Sequence, residues 1–133
     1  MKTFNEYIAS FNELDEATER TGDKKLDAKY DAVVAALKAA EDCEKAANKV
    51  YDKICRKLGI KETRKESKYS TNNRKIVEKE PDYKAAWKEV MKAQRNYAKI
   101  TLEFKKMYDE YIKNGGKQIK DYYIAAHNWD DED

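Results

Sequence analysis

From Leu26 to Leu58 the residues that can face a core return every four and three positions in strict alternation: Leu26, Tyr30, Val33, Leu37, Ala40, Glu44, Ala47, Tyr51, Ile54 and Leu58. This is the spacing that keeps one narrow stripe of a helix against a partner helix, and it excludes a strand, whose side chains repeat every two residues. Glu44 is the break in the stripe. A second stripe of the same period runs through Tyr83, Trp87, Val90, Gln94, Tyr97, Thr101, Phe104, Tyr108 and Tyr111. Gly59 is placed to end the first helix, Gly115 and Gly116 to end the second, and Glu80-Pro81-Asp82 to open the second, with proline where a missing N–H costs nothing. The spacing therefore predicts helices over about 25–58 and 81–114, each roughly 50 Å long at 1.5 Å per residue. The simplest arrangement for them is a long antiparallel hairpin with coiled-coil-like packing, seam to seam.

Two shorter helices complete an all-α chain. Phe4, Tyr7, Ile8, Phe11 and Leu14 follow Thr3, an N-cap with Glu6 in capping-box position, and predict a helix over about 3–19 before Gly22. Ile119, Tyr122, Tyr123 and Ala126 predict another over about 117–128. Residues 59–79 are polar, lack an apolar period and contain the turn-favouring run Ser70-Thr71-Asn72-Asn73, so they read as a long connection. The expected organisation is one helical domain over 1–129 and an acidic tail at 130–133.

Leu, Ile, Val and Phe together make up 21 of 133 residues, which is a thin core for a chain this long. Sixteen Ala and ten Tyr supply other apolar surface. Even so, a two-helix hairpin buries little area against the backbone entropy of ordering it, and homo-oligomerisation is the expected remedy.

The residues argue against chemistry. The single histidine, His127, has no convergent ligands for a metal, and Cys43 and Cys55 lie 12 residues apart on one predicted helix. That separation is roughly 18 Å, beyond disulfide reach, so both cysteines read as reduced packing residues. The acids fall mostly as i, i+3 and i, i+4 partners of lysines, and no phosphate-cradling glycine motif occurs. No enzyme, cofactor or metal is expected. No run approaches the length of a membrane span, and the first residues carry acid where a signal peptide is apolar, so no membrane association and a cytoplasmic location are expected.

Charge placement carries the functional signal. The 28 basic and 26 acidic residues nearly cancel, yet residues 45–79 hold twelve bases against four acids, a local balance of +8. Lysines and arginines on a loop can follow phosphates while an aromatic stacks on an unpaired base, the arrangement of sequence-tolerant single-strand binding. The candidate nucleic-acid-binding residues are Lys53, Arg56, Lys57, Lys61, Arg64, Lys65, Lys68, Tyr69, Arg74 and Lys75. The same bias also fits a solvated loop kept soluble by its charge. Likewise, the tail beyond Trp129 reads either as a docking element for a basic surface or as a solvated end.

Several features together resemble the UvsY-type recombination mediators of tailed phages. They are the opening Glu80-Pro81-Asp82, Gln94 in mid-helix, Leu102-Glu103-Phe104, the stop Ile112-Lys113-Asn114-Gly115, then Gln118-Ile119-Lys120 and Trp129. Upstream, Ala28-Lys29-Tyr30 and the basic helix end Lys53, Arg56 and Lys57 are similar too. The resemblance implies an oligomeric protein that binds single-stranded DNA and helps load a RecA-like recombinase on strands coated by single-strand-binding protein. Lys53, Arg56 and Lys57 match the family's DNA contacts best. Assembly through the C-terminal helix would fall on Ile119, Tyr122 and Tyr123. The Ala-rich first seam and the four-acid tail depart from that pattern. A helical, non-enzymatic inhibitor encoded by a phage and directed at a host or defence protein fits the composition equally well, and a coiled-coil spacer is a third reading.

Overall fold

A computed structural model describes residues 19–127 of the chain. The expected helix over 3–19 lies outside the described residues except at Glu19, which is not helical; Trp129 and the acidic tail at 130–133 also lie outside them. The described residues form four helices and no strand: α1 (Lys24–Leu58), α2 (Thr71–Val77), α3 (Pro81–Lys113) and α4 (Lys120–His127). Long helix packs against long helix, as Tyr30 of α1 does on Phe104 of α3 with ring centroids 5.8 Å apart. The described residues divide into two compact units, 19–38 with 94–127 and 39–93, and both long helices contribute to each.

Local chemistry sets the helix ends. Asp23 caps α1, its Oδ1 accepting from the N–H groups of Lys25 and Leu26 at 3.1 and 3.2 Å. At the other end Gly59, with φ +73°, turns the chain so that its N–H reaches the Arg56 carbonyl and the Ile60 N–H reaches that of Cys55 at 2.8 Å. These are the paired bonds of a Schellman stop, and Ile60 folds back onto the apolar cluster containing Cys55. The α3 stop has the same bonds, from Gly115 to Ile112 and from Gly116 to Tyr111. Here the Tyr111 ring occupies the space a Cβ at Gly116 would need, only 2.5 Å away, so no larger residue fits without moving the ring.

In the first unit, twelve buried residues form one cluster spanning the first turns of α1, the second half of α3, Ile119 and α4. Tyr30 stacks on Tyr122 at 4.3 Å, and Phe104 meets Tyr122 edge-on at 5.7 Å. Burying a side chain such as Phe104 contributes about 1.5–3 kcal/mol. Asp27 ties this unit's ends together: it accepts from the Thr21 hydroxyl (2.7 Å), the N–H groups of Thr21 and Gly22 (both 3.1 Å) and the Tyr122 hydroxyl (2.6 Å). Burial alone would raise the Asp27 carboxyl, but the bonds from Tyr122 and Thr21 outweigh it and hold the group below its ordinary pKa. The Tyr122 hydroxyl is pushed well above its usual range, by burial first and by Asp27 second.

The second unit has a smaller cluster, Tyr51, Ile54, Cys55 and Val77, with Val50, Ile60 and Tyr83 packed against it. Burial raises the Cys55 thiol and disfavours the thiolate, which suits a packing residue. The connection read over 59–79 contains a helix that the sequence reading does not give it. Thr71–Val77 is helical, capped by Ser70, whose Oγ accepts from the Asn73 N–H at 3.2 Å, and Val77 is fully buried. The turn-favouring residues Ser70 to Asn73 are the start of a helix, since a cap and a turn use the same side-chain chemistry.

Candidate nucleic-acid interface

The +8 segment lies wholly in the second unit. Three of its four acids are occupied within the segment. Asp52 pairs with Lys68 at 3.1 Å and accepts the Tyr69 hydroxyl at 2.9 Å; the bond from Lys68 holds its carboxyl below the ordinary value despite an opposing effect of burial. Glu62 accepts the Lys68 N–H (2.8 Å) and the Ser67 hydroxyl, while Glu66 accepts the Ser70 hydroxyl at 2.8 Å. Three of the four acids are thereby taken up by the connection itself. Of the twelve bases, Lys45 pairs with Glu41 and Lys68 with Asp52; no other is ion-paired among the described residues. Lys53, Arg56, Lys57, Lys61, Arg64, Lys65, Arg74 and Lys75 are all exposed.

Two of the sequence-derived residues have a different job. The Tyr69 ring lies against Tyr51 with centroids 5.1 Å apart, its hydroxyl is held by Asp52, and Lys68 Nζ sits 5.2 Å from its centroid. The Tyr51 hydroxyl in turn donates to the Lys68 carbonyl at 2.6 Å. Lys68 and Tyr69 thus fasten the connection to α1. The ring expected to stack on an unpaired base is thus also packed on Tyr51, with 44% of Tyr69 exposed.

Two clefts border the free bases. One, of about 500 Å³, is lined by Val50, Lys53, Ile54, Lys57, Glu80, Pro81 and Asp82. The other, of about 490 Å³, is lined by Glu44, Asn48, Arg74, Glu78, Tyr83, Lys84, Trp87 and Lys88. In the second cleft Trp87 is 41% exposed and lies nearly parallel to Tyr83, 14° between planes and 6.2 Å between centroids. Glu44 Oε2 is buried there without a hydrogen-bond partner, and burial, with Glu41 nearby, raises its carboxyl. Trp87, Tyr83, Lys84, Lys88 and Glu44 were not among the candidate residues. The available signals were Glu44 as the polar member of an apolar stripe and the pair Lys84 and Lys88 flanking Trp87 one turn apart.

The expected oligomer residues divide differently. Ile119 and Tyr122 are 4% and 0% exposed and belong to their own chain's core, where Tyr122 packs on Tyr30 and bonds Asp27. They are not available to a second copy; of the three, only Tyr123 is exposed. Among the described residues no group of three or more His, Cys, Asp or Glu side chains is placed to hold a metal, and no helix is long and apolar enough to cross a membrane.

No family model, curated protein or solved structure matches the chain. The likeness to recombination mediators therefore rests on the residues quoted above alone.

Proposed function

We propose that the chain is a non-enzymatic binder of single-stranded nucleic acid, and that it contacts the phosphate backbone through the exposed bases of its second unit. One observation carries this reading: three of the four acids of the basic segment are engaged with the connection's own backbone, hydroxyls and Lys68, while ten of its twelve bases are exposed and unpaired among the described residues. A segment that was basic only for solubility would have no need to sequester its acids. Ten unpaired cations close in sequence repel one another, and a polyanion relieves that repulsion while releasing its counterions. The cellular role we assign is that of a recombination mediator in the cytoplasm, working as a homo-oligomer of helical hairpins beside a recombinase and a single-strand-binding protein.

Fluorescence anisotropy with a labelled single-stranded 30-mer tests the binding. Affinity should fall steeply with salt, with a slope of about −0.7 for each phosphate contacted. Replacing Lys53, Arg56 and Lys57 by Ala should lower both affinity and slope. Replacing Lys99 and Lys106, exposed bases of the first unit, should change neither by much. Equal losses from both sets would reduce the interaction to diffuse attraction. Absence of binding at low salt would overturn the reading and leave the protein-directed inhibitor in its place.

A further inference from the structure

Phosphate tracking accounts for the exposed lysines but not for the cleft beside them. Its floor is unusual for a surface this charged: an indole with 41% of Trp87 exposed, supported from behind by the nearly parallel ring of Tyr83. Arg74, Lys84 and Lys88 line the cleft with it and outnumber the two acids there, Glu44 and Glu78. A ligand that satisfies the indole and the three cations has a flat face for the one and an anion for the others. A purely apolar ligand would leave the cations unmet, and a simple anion would leave the indole exposed.

We propose that this cleft is a nucleotide pocket, in which Trp87 stacks on one unpaired base of a bound single strand and Arg74, Lys84 and Lys88 hold the adjoining phosphate. The inference deepens the single-strand reading and rests on it. The volume of about 490 Å³ accommodates one nucleotide unit. Every base has a flat face that can lie on the indole. The pocket therefore senses the presence of a base more than its identity.

The test compares a single-stranded 15-mer with an abasic strand of the same length and charge, by anisotropy at one salt concentration. The wild-type protein should bind the base-bearing strand at least about 5-fold more tightly, the lower end of what one stacked base supplies. Trp87→Ala should abolish that difference while leaving abasic affinity and salt slope unchanged; Trp87→Phe should retain much of it. Lys84→Ala with Lys88→Ala should weaken both strands and lower the slope. Circular dichroism of each variant separates loss of fold from loss of binding. Equal binding of the two strands by the wild-type protein, with the Lys53, Arg56 and Lys57 effect intact, overturns the pocket and spares the phosphate track; binding of neither overturns both. In a Trp129→Phe background, quenching of Trp87 by AMP at concentrations as low as those at which the strand acts would assign the cleft to free nucleotides and overturn the strand.

Discussion

The two units are built from the same pair of long helices, and they use them differently. The first gathers twelve buried residues into one cluster and fastens its ends through Asp27 and Tyr122. The second has four residues at the centre of its cluster, and its helix stripes carry Ala40, Glu44 and Ala47 where the first unit has Tyr30, Val33 and Leu37. The second unit also carries the exposed Trp87 and the unpaired bases. A constant helical period thus conceals a change of purpose along each helix. Where the stripe is aromatic and aliphatic it contributes stability, and where it thins to alanine and acid, polar and aromatic groups are left open to a partner.

The contrast predicts a graded response to substitution. Phe104→Ala in the first unit should cost about 3–5 kcal/mol of unfolding free energy in urea titrations, the usual loss for a buried phenylalanine. Ile54→Ala in the second should cost about 2 kcal/mol, the low end for its class, because its cluster is small. Equal losses would break the comparison. Asp27→Asn should cost about 1–3 kcal/mol, since Tyr122 and Thr21 lose a charged acceptor. Folding lowers the Asp27 pKa, so its contribution is present above the ordinary carboxylate value and fades as pH falls through the lowered one. The gap in melting temperature between wild type and Asp27→Asn should therefore be wide at pH 7 and should shrink as pH falls below the ordinary carboxylate value. The smallest effect is expected for Tyr69→Phe, which removes one exposed hydrogen bond to Asp52 and should shift stability by no more than about 0.5 kcal/mol. Its signature is local: amide exchange at Lys68 and Tyr69 should quicken while α4 is unaffected.

The long helices were legible because their signals are repeated many times. Eight of the ten positions in the first stripe, from Leu26 to Ile54, are buried, and the breaks at Gly59, Pro81 and Gly115 fall where the chain leaves or enters a helix. The helix Thr71–Val77 was not legible, because seven residues hold less than two full turns of period and its cap resembles a turn. The α4 helix begins at Lys120, three residues later than the stripe suggests, since Lys117 to Ile119 complete the exit from the Gly115 stop. Charge could be counted along the chain, so the basic segment was found. Pairing could not: Asp52 meets Lys68 and Tyr69 across 16 and 17 residues. Spacing puts Trp87 on the packed stripe, yet it lies exposed where the stripe opens into a cleft.

The bonds that close the connection on itself have a thermodynamic consequence. Thr63 and Glu66 exchange hydrogen bonds in both directions, Asn73 donates to the Ser67 carbonyl, and Tyr51 anchors Lys68 from α1. The backbone beneath the basic side chains is therefore ordered before any partner arrives, and the entropy lost in ordering it, about 1–2 kcal/mol per residue, is met during folding and not again at association. Association at this surface should accordingly show a small heat-capacity change, set by the area covered and without the added contribution of a segment that folds as it binds.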